Sequence, residues 1–328
     1  MAERIFVISH ATDIDGVGSA SLMRIKYHLP KDHIFFADYS AETIGKISET
    51  LIPEAAKGIT LMVSDLGMSP AIMPGFLRLI SAIHEHNGRV VWFDHHQWTG
   101  EQISSVASKC DFATVGENKN HCATEIVAKE LGIRSQFIDR FVRMVHYSDF
   151  NIRPRDQKTY ETIGIYALGI AKINTYNSYG KINSALRKLT ETIKNGKMYD
   201  ADTKQMAREF EKINNERSKR MIKNAYESRN IVVGFERDIQ KTKACMDLIA
   251  HAKKKVGIYI NIRNGRGHIR STGPDCTYLA RHFGGNGHPR ACGFSVDMQK
   301  YGFLKKKEDR EKLAKEIDYA ASKTIKFQ

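Results

Sequence analysis

Short apolar runs alternate with longer stretches of helical period through the first half of the chain. The runs at 5–9 (IFVIS), 33–39 (HIFFADY), 59–65 (ITLMVSD) and 89–94 (RVVWFD) are too short for helices. They are rich in β-branched and aromatic residues, which predicts strands buried on both faces. Between them, 16–29, 41–51 and 73–86 carry apolar residues at helical spacing, and two further helical segments follow at 123–131 and 135–149. Strand and helix in strict alternation predict a parallel sheet covered by helices on both faces.

The texture changes near Asn151. A polar stretch containing Tyr and Lys leads to 200–228, which is charged and lacks Pro and Gly, with Met206, Phe210, Ile213, Met221 and Ile222 near helical spacing. This predicts a connecting helix. Strand-like runs follow at 230–235, 256–264 and 267–272, then a short helix at 275–283 and the glycine-dense GGNGHPRACGFSV at 284–296. The fold class is therefore α/β: an N-terminal parallel sheet flanked by helices (1–155), a helical connector (156–229) and a smaller C-terminal α/β domain (230–328).

A chain of 328 residues, 41% hydrophobic, can bury cores for about two such domains. No run approaches the roughly 18 apolar residues of a membrane span, and the first residues lack the pattern of a secretory signal, so the expected location is the cytoplasm, away from membranes. The five cysteines, Cys110, Cys122, Cys245, Cys276 and Cys292, are scattered, with no C-x-x-C pair. That argues against a disulfide framework or a structural zinc cluster.

Charge is divided unevenly. Residues 1–150 hold 14 Lys and Arg against 18 Asp and Glu, whereas 151–328 hold 37 against 19. A basic second half beside an acidic first half suits a polyanion held by one part and worked on by the other, with a lysine-rich solvated surface as the alternative.

The candidate chemistry lies at strand ends. His10, Asp13 and Asp15 follow the first strand, Asp65 the third, and Asp94, His95 and His96 the fourth, while Asp149 closes a helix with His146 one turn before it. In a parallel sheet these ends share one edge, where ligands bind. Carboxylates converging there repel one another unless cations neutralise them. A carboxylate and imidazole set without thiolate suits Mn²⁺, and less specifically Mg²⁺, Co²⁺ or Zn²⁺. Two ions sharing a bridging carboxylate can serve phosphoryl chemistry. The partial G-x-G-x-x-G at 16–21 has Ser21 in its third glycine position and follows two acids, which argues against a dinucleotide site. In the C-terminal segment, Gly284, Gly285 and Gly287 can free backbone N–H groups for an anion, Asn286 can adopt left-handed angles, and His288, Arg270 and Arg290 are candidate phosphate contacts. The alternative is a tight turn before a strand. His84, His86 and His121 read as solvated, and Trp98 as either a base-stacking platform or a local packing residue.

These segments resemble the DHH superfamily of phosphoesterases, whose name is carried here by Asp94-His95-His96. The likeness includes SHATDIDGVGS, Asp65 in SDLG, Asp149, and a glycine-histidine motif typical of the DHH-associated substrate domain. It implies that His10, Asp13 and Asp65 hold one Mn²⁺ and that Asp15, Asp65, His95 and Asp149 hold the other, with Asp65 bridging. Mg²⁺ and Co²⁺ are alternatives. His96 then faces the substrate phosphate as a proton donor, and Asp94 orients a histidine. Two residues separate His10 from Asp13 where several members have three, and GGNGH stands for four glycines before the histidine.

The activity implied is hydrolysis of short RNA or DNA oligonucleotides, in the manner of nanoRNases, to nucleoside 5′-monophosphates, linear dinucleotides included. A longer-strand exonuclease like RecJ, an inorganic pyrophosphatase and a non-catalytic nucleic-acid scaffold are the alternatives. A homodimer is an open expectation.

Overall fold

The protein is described by a computed structural model covering residues 4–116 and 120–326. The chain divides into two compact units between Arg208 and Glu209.

In the first unit the elements run β1 (Arg4–His10), α1 (Ile14–Tyr27), β2 (Ile34–Ala37), α2 (Ala41–Ala55), β3 (Ile59–Ser64), α3 (Met73–Glu85), β4 (Arg89–Asp94), α4 (Gly100–Ser105) and β5 (Phe112–Val115). They continue with α5 (Ala123–Glu130), α6 (Gln136–Asp149), α7 (Gln157–Tyr176) and α8 (Tyr179–Lys194), and α9 (Ala201–Lys223) crosses the division. The sheet order is β2-β1-β3-β4-β5, and every pairing is parallel. Alternate strand residues feed two cores. Ile5, Val7, Met62, Val91 and Phe93 pack against the face carrying α1 and α5 to α8, and Phe6, Ile8, Leu61, Val63 and Trp92 against that carrying α2 and α3. Burial on both faces explains why these strands read as unbroken apolar runs.

The polar stretch after Asn151 is α7 and α8, and both helices pack on the first unit. α8 also closes the open edge of β2. Asn183 accepts from the Phe36 N–H (2.7 Å) and donates to the Phe36 carbonyl (3.1 Å), and Arg187 Nε donates to the Ile34 carbonyl (2.5 Å). An edge strand that would otherwise offer bare backbone is thus paired by side chains.

The second unit adds β6 (Tyr226–Glu227), β7 (Ile231–Glu236), α10 (Lys241–Ala252), β8 (Val256–Asn261), β9 (Arg266–Ser271), α11 (Thr277–His282), β10 (Asn286–His288), β11 (Ala291–Ser295) and α12 (Lys307–Thr324). Its mixed sheet has the order β10-β11-β9-β8-β7-β6, with β7 and β8 parallel and the other pairs antiparallel. Residues of α11 and α12 join one core and residues of α10 the other. No helix among the described residues is long and apolar enough to cross a membrane.

Candidate metal centre

The strand order sets the site. β1 leads to β2 on one side while β3 lies on the other, so a crevice opens at the carboxyl ends of β1 and β3. The register pairs Ser9 with Ser64 and Ser64 with Phe93. The next residues, His10, Asp65 and Asp94, therefore stand in one row across three strands.

Asp65 turns sharply out of β3, with φ at 54°, while its N–H still donates to the Phe93 carbonyl (3.0 Å). A left-handed non-glycine residue is strained, and aspartate is one of the few types that tolerates it. Asp13 caps α1 by accepting from the Gly16 N–H, one turn from His10. Asp15 lies within α1 and is held from across the crevice, each carboxylate oxygen accepting a backbone N–H at 2.8 Å, from Ala123 and Thr124 at the start of α5. The positive end of that helix favours the anion.

Two donor groups result. His10 Nδ1 lies 3.2 Å from Asp13 Oδ2 and 3.5 Å from Asp65 Oδ2. His95 Nε2 faces Asp15 Oδ2 (3.7 Å), Asp65 Oδ1 (3.6 Å) and Asp149 Oδ2 (3.6 Å). Asp65 presents one oxygen to each group. Donor atoms about 2.1 Å from a shared divalent ion stand roughly 3.0–3.4 Å apart, close to this spacing. Asp65 Oδ2 and Asp149 Oδ2 are buried and receive no hydrogen bond. Buried acceptors without donors are costly, and a cation is what such atoms require. The donor set thus fits divalent ions, and His10 stands with Asp13 despite the short spacing between them.

Electrostatics agree. Burial raises the Asp65 carboxyl far above its usual range, and Asp15 and Asp13 raise it further. Burial and then Asp15 push Asp149 up to about 8. Burial opposes charge on His10, but Asp13 and Asp65 outweigh it and raise the imidazole to about 10. His95 is likewise raised, its burial outweighed by Asp15 and Asp149.

Asp94 and His96 stand beside these groups. Asp94 is completely buried, accepting from His96 Nδ1 (2.7 Å) and from Trp98 Nε1 (2.7 Å). Burial would raise its carboxyl, yet His96 outweighs that and holds it below the ordinary range. Trp98 is therefore a buried packing residue, edge-on to Trp92 (5.2 Å), and does not offer a face to a base.

Some partners were not evident from the sequence. Tyr39 accepts from the Gly67 N–H (3.3 Å) and sets its ring 5.3 Å from that of His10. The signal existed, since Tyr39 ends the same kind of strand run as Asp65 and Asp94. His146 does not join the donor groups. Its Nδ1 pairs with Glu125 Oε2 (2.8 Å), and its ring packs on Phe150. His84 pairs with Asp111 at the surface, while His86 and His121 are exposed.

In the second unit the glycine segment is organised differently from the anion loop expected. Gly284, with φ at 71°, donates its N–H to the Arg281 carbonyl (2.9 Å), and Gly285 donates to Ala280 (2.8 Å). These N–H groups terminate α11 and are not free for an anion. Asn286 and Gly287 enter β10, paired with Gly293 and Cys292, and Asn286 has no positive φ. A side chain on Gly287 would overlap the Ala291 carbonyl, the Cβ falling 2.6 Å from it. Close strand approach is therefore what Gly287 provides. Arg290 is exposed at the hairpin tip and His288 is half-buried. Arg270 is buried under α10, donating to the Ile269 carbonyl (2.8 Å) and Thr242 Oγ1 (3.1 Å), its Nε unpaired. Arg270, expected as a phosphate contact or a surface cation, is thus a buried side chain.

Solved structures share this architecture. The chain aligns over 97% of its length with all of a pGpG-specific phosphodiesterase from Vibrio cholerae at 12% identity and a TM-score of 0.54. It aligns over 97% with 93% of an exopolyphosphatase-related protein from Bacteroides fragilis at 13% identity and a TM-score of 0.52. The shared architecture is consistent with the fold expected from the resemblance to the DHH superfamily. No protein-family model and no curated protein matches the sequence. At these identities it is the fold alone that is shared, and the chemistry is argued from the side chains described above.

Proposed function

We propose that the protein is a Mn²⁺-dependent phosphodiesterase that hydrolyses short oligonucleotides, linear dinucleotides included, to nucleoside 5′-monophosphates. The observation that carries this reading is the paired donor set in which Asp65 serves both His10–Asp13 and Asp15–His95–Asp149. Two divalent ions held there supply charge neutralisation at a phosphodiester and lower the proton affinity of water, with Mg²⁺ or Co²⁺ as substitutes.

The chain's own residues divide the remaining work. Asp15, both of whose oxygens are gripped by the start of α5, has its carboxylate oriented before substrate arrives, and the left-handed backbone of Asp65 turns that residue out of β3. His96, fixed through Nδ1, is free at Nε2 to protonate the leaving 3′-oxygen. His288 and Arg290 are the groups we assign to the remainder of the substrate, supported by the excess of basic residues in that half of the chain. The segment Gly284, Gly285 and Gly287 shapes their hairpin, and Arg270 braces the strand beside it. A short substrate is favoured by the fold shared with a protein described as a pGpG-specific phosphodiesterase.

The test is a digestion series with 5′-labelled RNA and DNA from dimers to about 24 nucleotides, with and without Mn²⁺. Dimers to pentamers should disappear fastest, leaving mononucleotides, and chelation should stop the reaction. Attack on long strands alone would transfer the reading to an exonuclease of extended substrates. Release of phosphate from pyrophosphate alone would replace it, and inertness towards every substrate would leave a binding scaffold.

A further inference from the structure

Trp98 is four residues beyond Asp94 and outside the motifs discussed above, yet its indole N–H ends on the carboxylate that also holds His96. The contact is not incidental. Asp94 is fully buried and Trp98 nearly so. Each Asp94 oxygen takes one short bond, Oδ1 from His96 and Oδ2 from Trp98, both 2.7 Å. Behind them, Trp92 packs edge-on against Trp98 and donates its own indole N–H to the Leu66 carbonyl (3.1 Å). The opposite side is closed by Gly67, where a Cβ would fall 2.9 Å from the His96 Cβ and 3.6 Å from Asp94 Oδ2.

A carboxylate rotates about χ2 over a broad, roughly two-fold well. One hydrogen bond to it fixes a distance, and a second on the other oxygen fixes the plane. We propose that Trp98 is a positioning residue for the reaction: its indole N–H locks the plane of Asp94, which in turn aims His96 Nε2 at the leaving oxygen. The inference rests on the proposed phosphodiesterase reading. In the step concerned, water oxygen bonds to phosphorus as the P–O3′ bond breaks, and His96 Nε2 passes its proton to O3′. The surplus proton of the water leaves to solvent, from which His96 is recharged, and no redox change occurs.

The experiment replaces Trp98 with benzothienylalanine, which keeps the bicyclic shape but lacks the N–H, and separately makes Trp98→Phe. Two substrates are compared: a 5′-phosphorylated dinucleotide, whose alkoxide leaving group needs a proton, and thymidine 5′-p-nitrophenyl phosphate, whose phenolate does not. The analogue should lower kcat on the dinucleotide about 10- to 100-fold, within the usual worth of a general acid, with KM little changed. Turnover of the nitrophenyl ester should stay within about twofold, because it makes no demand on that acid. Trp98→Phe should show the same contrast, with a further loss on both substrates where packing suffers. A merely structural role predicts equal losses on both substrates, and that result, or no loss on either, overturns the inference.

A second measurement needs no turnover. In ¹⁵N-histidine spectra the His96 Nδ1–H, held by Asp94, should be slow to exchange with solvent in the wild type and fast in the analogue. If wild-type protein cleaves neither substrate, the phosphodiesterase reading fails; identical His96 exchange in both proteins would then refute the positioning role on its own evidence.

Discussion

Loading the site with metal should expel protons, and the number follows from the donors. A ligating imidazole must be neutral and a ligating carboxylate ionised. His10 is raised to about 10 by Asp13 and Asp65 against the cost of its burial, so at pH 7 the metal-free protein carries its proton almost completely. Asp149 is raised to about 8 by burial and Asp15, so it too is mostly protonated at that pH. Together they should release about two protons per chain at pH 7, with further contributions from Asp65 and His95. His10 and Asp149 belong to different donor groups, so one of these protons is coupled to each ion, and apparent Mn²⁺ affinity should rise about tenfold per ion between pH 6 and 7. Calorimetric titration of chelator-stripped protein in buffers of different ionisation enthalpy gives the proton count as a slope. The same signs govern stability without metal. Both folded pKa values lie above their unfolded values. The His10 contribution is therefore complete below about 6.5 and fades as pH rises towards about 10, and the Asp149 contribution is complete below about 3.8 and fades towards about 8. Metal-free protein should lose Tm steadily from pH 6 to 9, and Mn²⁺ should restore most at the alkaline end. A proton count near zero, or affinity that falls as pH rises, would refute the assignment of these side chains as one metal-binding set.

Asp65→Asn keeps a residue that accepts the left-handed turn but removes the most crowded charge, so Mn²⁺ binding should be lost while the metal-free Tm rises by about 2–4 °C, read by thermal melts with and without metal. Gly67→Ala places a methyl group against His96; kcat on a dinucleotide should drop about tenfold or more while calorimetric Mn²⁺ binding persists. Asn183→Ala strands the buried N–H and carbonyl of Phe36 at the edge of β2 and should cost about 2–4 kcal/mol in urea unfolding. Arg270→Met removes a buried guanidinium that has no ion pair among the described residues, and should stabilise the protein by about 1–3 kcal/mol on the same assay.

The parts of the molecule legible in the sequence are those where one physical cause acts alone. β1 to β4 are buried on both faces, which leaves apolar runs with no competing pattern. The grouping of His10, Asp65, Asp94 and His95 was legible for the converse reason: a polar side chain at the end of such a run projects into the crevice. β5 was not recognised, because an edge strand of four residues with Phe112 exposed has no such run. α7 and α8 fell within the segment expected as a helical connector, but as a polar stretch not resolved into separate helices. Their buried positions, Tyr166, Ile170 and Ile173 on one and Leu186, Leu189 and Ile193 on the other, do recur at helical spacing. Gly164, Gly169 and Gly180, with many threonines and tyrosines, weaken the local helical preference, and packing against α1 outweighs it.

The glycine hairpin failed for a different reason, which separates composition from role. Glycine can donate a free N–H to an anion, reverse a helix end or let two backbones touch, and the letters GGNG are the same in each case. Only the destination of each N–H distinguishes them. Here Gly284 and Gly285 point theirs at α11 and Gly287 lies against β11, so the motif's glycines build the hairpin that carries His288 and Arg290. The same ambiguity attends Trp98. A tryptophan after a strand has a face for stacking and an N–H for bonding, and it is the fully buried carboxylate four residues earlier, with one oxygen left over by His96, that selects the N–H. In both places residue type supplied a set of capabilities, and the hydrogen-bond accounting of the fold chose among them.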